Sequence, residues 1–119
     1  MKPKNQGAEK TTKYLFRAKI WQFKGPTGWH FVTLPKSLAK KIRKNHGLSE
    51  EGWGRLKATA RVGDTSWSTA IWYDTKAESY LLPIKSTVRK REGLESTKTI
   101  AVQVVLPNTD LRLSHWLKR

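Results

Sequence analysis

Arg55-Leu56-Lys57-Ala58-Thr59-Ala60-Arg61-Val62-Gly63-Asp64 alternates polar with small apolar residues and then breaks at a turn. Leu56, Ala58, Ala60 and Val62 fall on one face, and Arg55, Lys57, Thr59 and Arg61 on the other. That is the period of a half-buried β-strand. Gly63-Asp64 is hairpin chemistry, so Trp67–Tyr73 reads as the antiparallel partner strand. The stretch makes the fold mainly β, with one side of the sheet apolar and the other basic.

The flanking segments follow the same grammar. Upstream, Tyr14, Phe16, Ala18 and Ile20 share one face of a strand that ends near Trp21. A turn at Lys24–Gly28 leads into a second strand, Trp29–Leu34, stopped by Pro35. Lys36–Lys44 is the best helical segment, with Leu38 and Ile42 toward the core, and Gly47 stands where a left-handed C-terminal cap is expected. Downstream, Ser79–Leu82 is a strand closed by Pro83. Ser86 is placed to cap a short helix through Arg91, ended by Gly93, and Ile100–Leu106 is the last strand.

Two parts of the chain echo each other. Ile42-Arg43-Lys44-Asn45-His46-Gly47-Leu48 aligns with Val88-Arg89-Lys90-Arg91-Glu92-Gly93-Leu94, each preceded by Leu-Pro and followed by an alternating strand. Neither half has enough apolar surface to fold alone, so duplication about a pseudo-twofold axis is expected. The expected architecture is a single small barrel of about six strands with two short helices. Residues 1–13 form a disordered basic lead-in and 14–107 the barrel. Residues 108–119 are expected as a C-terminal tail, either a short helix or a trailing linker, with an amphipathic turn at Leu113, Trp116 and Leu117.

These residues also carry a resemblance. Phe16-x-Ala18-x-Ile20-Trp21, Trp29-x-Phe31-Val32-x-Leu34-Pro35, Trp67-x-Thr69 and Leu82-Pro83-Ile84-Lys85-x-x-Val88-Arg89-Lys90 resemble the small bacterial family catalogued as domain of unknown function 1905. The resemblance spans about residues 14–107 and implies a six-stranded β-barrel with short helices and no established activity. The family usually carries Gly-Asp before the final strand, where this chain has Thr97-Lys98. The order strand, Leu-Pro, helix, Gly-Leu is similar, more weakly, to AbrB/MazE-type swapped-hairpin DNA binders, which use two chains where this protein would use two halves.

The formal net charge is +15, of which residues 1–13 carry +3 and residues 108–119 carry +2, leaving +10 on the folded part. Charge of that size on the fold itself makes nucleic acid, an anionic membrane or an acidic protein eligible partners, although a solubilising surface has the same composition. Cysteine is absent, which excludes disulfides and thiolate chemistry. No apolar run reaches the length of a membrane span or forms a signal-peptide core. A monomeric cytoplasmic protein with no membrane partner is expected.

No catalytic centre, metal site or cofactor site is legible. His30, His46 and His115 share no ligand spacing, and Glu50-Glu51, Asp64 and Asp74 lie in loops and turns. Binding is better supplied. Arg17, Lys19 and Trp21 on one outward strand face, with Arg55, Lys57 and Arg61 on another, would form a cationic strip with an aromatic edge. Such a strip tracks phosphates and stacks bases without reading sequence; a plain solvated sheet face is the alternative. Lys85 and Arg89 lie one helical turn apart, and Arg43 is the repeat partner of Arg89. Together they suggest an anion site, unless they pair with Glu92, Glu95 or backbone carbonyls. Trp29 and Trp67 are expected in the barrel wall, whereas at least one of Trp21, Trp53 and Trp72 should line a groove. The leading expectation is a non-catalytic, basic nucleic-acid-binding module. The alternative is a small-molecule, anion or protein-interaction module whose charge serves solubility.

Overall fold

The alternation at residues 55–62 becomes strand β4 (Arg55–Val62), and its four apolar residues are buried. The computed structural model describes residues 10–108, apart from the Trp53 side chain. Most of the expected lead-in and the tail with Leu113, Trp116 and Leu117 lie outside the described residues. In chain order the other elements are β1 (Thr11–Lys19), β2 (Trp21–Gln22), β3 (His30–Thr33), α1 (Lys36–His46), β5 (Thr65–Asp74), β6 (Ser79–Pro83), α2 (Ser86–Glu92) and β7 (Thr99–Pro107). Strand β1 thus takes in Thr11–Lys13, which pair with Pro107–Val105.

The strands make one curled antiparallel half-barrel in the order β1-β7-β4-β5-β6-β3-β2. Seven strands stand where about six were expected, because the Tyr14–Trp21 segment is split. At Ile20 the backbone leaves the β1 ladder: its N–H donates to Lys98 O at 2.9 Å, and its carbonyl accepts from Thr97 N at 2.7 Å. Beyond that point β2 pairs with β3. The inner faces, with Tyr14, Phe16, Val32, Leu56, Ala60, Tyr80, Leu82 and Val104, close over one core. Ile42 from α1 and Val88 from α2 plug it at 0% and 1% exposure. Burying side chains of this size contributes roughly 1.5–3 kcal/mol each.

The two helix ends differ from the sequence reading. Gly47 has φ −57° and continues the right-handed path into a 3₁₀ turn, Gly47–Ser49. The left-handed cap occurs only at Gly93, φ +64° behind α2. Ser86 is the first helical residue and not the cap, since the extended residue before the helix is Lys85. At the end of α1, His46 is buried and held from two strands. Tyr14 Oη donates to His46 Nε2 at 2.7 Å, and His46 Nδ1 donates to Pro107 O at 3.2 Å. Burial pushes the His46 pKa down, and the Pro107 bond only partly opposes that. In the turn before β7, Thr97 has φ +71°, the left-handed region a glycine would take without strain.

Candidate functional site

Because side chains alternate across a strand, burying one face of β4 and β1 drives their cations to the other. Register sets how close they come. On β7, Gln103 stands opposite both Leu15 and Arg61, and Ala101 stands opposite Arg17. A neutral strand therefore separates two basic ones, and Arg17 and Arg61 line one shallow depression. Along the same face, Arg55 and Lys57 line a groove of about 530 Å³ together with Trp72 and Ser68. Lys19 is exposed opposite Thr99 but lines neither hollow.

Trp21 is not at the edge of this strip. It lies past the break at Ile20, donates Nε1–H to Thr33 Oγ1 at 2.9 Å and stacks on Phe31 with ring centroids 5.1 Å apart. The aromatic beside the cations is Trp72, opposite Arg55 in the β4–β5 ladder, with the guanidinium 5.6 Å from its ring centre.

The three residues of the expected anion site do not assemble. Arg43 lies 3.8 Å over the Tyr73 ring and pairs with Glu50 at 3.5 Å. Glu50 also accepts from Tyr80, whose hydroxyl pKa is raised chiefly by burial and then by that carboxylate. Arg43 is thus part of a structural knot tying α1 to β5 and β6. Lys85 and Arg89 do meet, in a separate cleft of about 440 Å³ with Trp29, His30, Trp72 and Ser86.

Local structure explains that cleft. Pro83 ends β6, and Ile84, buried to 1% exposure, is held by a 2.8 Å bond from its N–H to His30 O. This fixes Lys85 just before α2, and Arg89 one turn later anchors Nε to Ile84 O at 3.2 Å. Trp29 follows Gly28, whose φ of +65° turns the chain, and the residue is 55% exposed. That corrects the expectation of a wall position for Trp29, whereas Trp67 is buried as expected. His30 has its pKa lowered by burial first and by the Arg89 charge second, with a Gly28 backbone hydrogen bond opposing. Its imidazole is therefore neutral at pH 7, and the cleft's positive charge comes from Lys85 and Arg89.

The cations differ in compensation. Arg55 pairs with Glu51 at 2.6 Å, Lys57 with the same carboxylate at 4.0 Å, and Arg61 with Asp64 at 3.9 Å. Among the described residues Arg17, Lys19, Lys85 and Arg89 meet no carboxylate. Glu92, a candidate partner, instead accepts from Thr65 Oγ1 at 2.5 Å. Among the described residues no cluster of His, Asp or Glu has the makings of a metal site, and no helix is long and apolar enough to cross a membrane.

Fold and site together define a small curled antiparallel β domain with a basic outer face and an aromatic, cationic cleft. The chain belongs to the family described as domain of unknown function 1905, whose model matches residues 16–104. Among curated proteins none matches it. The family description assigns no activity, so function rests on the site.

Proposed function

We propose that this domain is a non-catalytic module that binds nucleic acid without reading its sequence. The observation that carries the reading is the position of Trp72. It lines both the groove with Arg55 and Lys57 and the cleft with Lys85 and Arg89. An aromatic face between two cationic hollows suits a polyanion whose phosphates alternate with stacking bases. The carboxylates on the strip do not oppose this, because exposed ion pairs are worth only about 0–1 kcal/mol and yield to phosphate.

The test is fluorescence anisotropy with a labelled oligonucleotide, single-stranded and duplex, across a salt series. Binding should weaken steeply with salt. Replacing Lys57→Gln and Arg61→Gln together should flatten the log–log slope by roughly one to two units, at about 0.9 per phosphate on duplex and 0.7 on single strands. No detectable binding at low salt would sink the proposal and leave an anion- or protein-binding role.

For the architecture, we infer a six-stranded closed barrel of two duplicated halves. Only Ile20 separates β1 from β2, and β2 pairs with β3, so the edges of the sheet are consecutive stretches of one bent strand. The repeat-equivalent strands β3 and β6, and likewise β4 and β7, pair antiparallel, as a twofold axis requires. Residues 29–62 should superpose on residues 78–106. Divergent paths for the two segments would refute the duplication.

A further inference from the structure

We propose that the cleft between Trp29 and Trp72 binds one unpaired nucleotide, its base stacked on an indole and its phosphate on Lys85 and Arg89. This rests on the nucleic-acid reading and narrows it to unpaired strands.

Three observations converge there. Trp29 keeps more than half its surface exposed, beside a turn and outside the core. An indole left in water at a basic hollow offers a π-face that any base can cover. Lys85 and Arg89 are the cleft's only two charges at neutral pH, since His30 is neutral, and neither has a carboxylate partner among the described residues. An uncompensated guanidinium beside an ammonium is a phosphate site. The volume of about 440 Å³ falls in the range of pockets that enclose small molecules, about 300–1,000 Å³.

A base inside a duplex has both faces covered by its neighbours and offers none to Trp29 without unpairing. An unpaired base has no such cost. The strand leaving the cleft passes Trp72 and reaches Arg55 and Lys57, which places further phosphates on the strip.

The nucleotide can come from a strand or be free, and the two sources separate experimentally. The 119-residue chain is titrated with oligothymidylate, with a duplex of the same length, with thymidine monophosphate and with inorganic phosphate. Trp29→Ala and Arg89→Gln are compared with the Lys57→Gln/Arg61→Gln variant, and circular dichroism confirms that each is folded. Trp29→Ala should lower single-strand affinity about 5- to 150-fold, the range that stacking of one base commands. Duplex affinity should stay within about twofold, and thymidine monophosphate should compete at the wild-type cleft but not in Arg89→Gln.

Unchanged single-strand binding in Trp29→Ala, with the Lys57/Arg61 variant still weakened, overturns the cleft and leaves the nucleic-acid reading standing. Binding of thymidine monophosphate that requires Trp29, with no binding of either strand form, upholds the cleft and overturns the nucleic-acid reading. Inorganic phosphate competing as well as the nucleotide overturns base stacking.

Discussion

Removing one oxygen from Tyr14 tests how the end of α1 is held. Tyr14→Phe keeps the ring and its edge-on contact with His46, at 5.6 Å between centroids and 81° between planes. It deletes the hydroxyl that donates to His46 Nε2 and accepts from Asn45 Nδ2 at 3.3 Å. His46 is 1% exposed, so Nε2 becomes a buried acceptor without its donor. Such a group costs about 1–3 kcal/mol. For a domain near this size each kcal/mol lowers Tm by roughly 4–8 °C. Removing both partners, Tyr14→Phe with His46→Leu, leaves no unpaired acceptor between them, so the double variant should be more stable than the two single losses predict. Burial holds the folded-state pKa of His46 below its ordinary value of 6.5. As pH falls below 6.5 the unfolded chain takes up a proton first, so this group's contribution is complete above 6.5 and is lost toward acid. Wild type should therefore lose up to about 1.4 kcal/mol per pH unit in that window from His46. His46→Leu should show a shallower loss, the remainder coming from His30, which is shifted the same way. Urea unfolding at neutral and mildly acid pH reads all of this. A Tyr14→Phe loss below about 0.5 kcal/mol, or strict additivity in the double variant, would refute the reasoning.

Two backbone predictions complement it. Thr97→Gly should raise stability by up to about 1 kcal/mol in thermal melts, because relief of about 1–2 kcal/mol of left-handed strain exceeds the glycine's added chain entropy of about 0.5–1 kcal/mol; Thr97→Ala, which keeps a Cβ and loses only the β-branch, should gain less than Thr97→Gly. Gly63→Ala should cost about 1–3 kcal/mol, because Gly63 has φ +58° in the β4–β5 turn and a Cβ there meets the Glu92 carboxylate that Thr65 holds. Glu92→Ala in the same chain should recover only the contact part of that loss.

Where one face of a segment is apolar and the other is not, the sequence by itself was enough. Period two puts Leu56, Ala58, Ala60 and Val62 inside and Arg55, Lys57 and Arg61 outside, whatever the partner strand. Period 3.6 likewise sends Ile42 and Val88 to the core, and the proline and glycine punctuation marks most strand and helix ends. Trp29–Leu34 carries apolar residues on both faces, so alternation could not choose, and the structure leaves Trp29 in solvent while burying Val32 and Leu34.

Tertiary structure alone decided the site. That Trp21 does not border the cations depends on a break in the β1 ladder at Ile20, made by hydrogen bonds to residues 97 and 98 far along the sequence. Arg43 and Arg89 align in the sequence echo, yet the fold places them in separate surroundings. Tyr73 and Glu50, which have no counterparts in the repeat grammar, take Arg43 into a structural knot. Arg89 remains beside Lys85, Trp29 and Trp72 because β3, β5 and the start of α2 converge there. Local periodicity fixes the face on which a side chain stands, but its neighbour across the fold is set by register and packing between distant segments, and no single stretch of sequence encodes those.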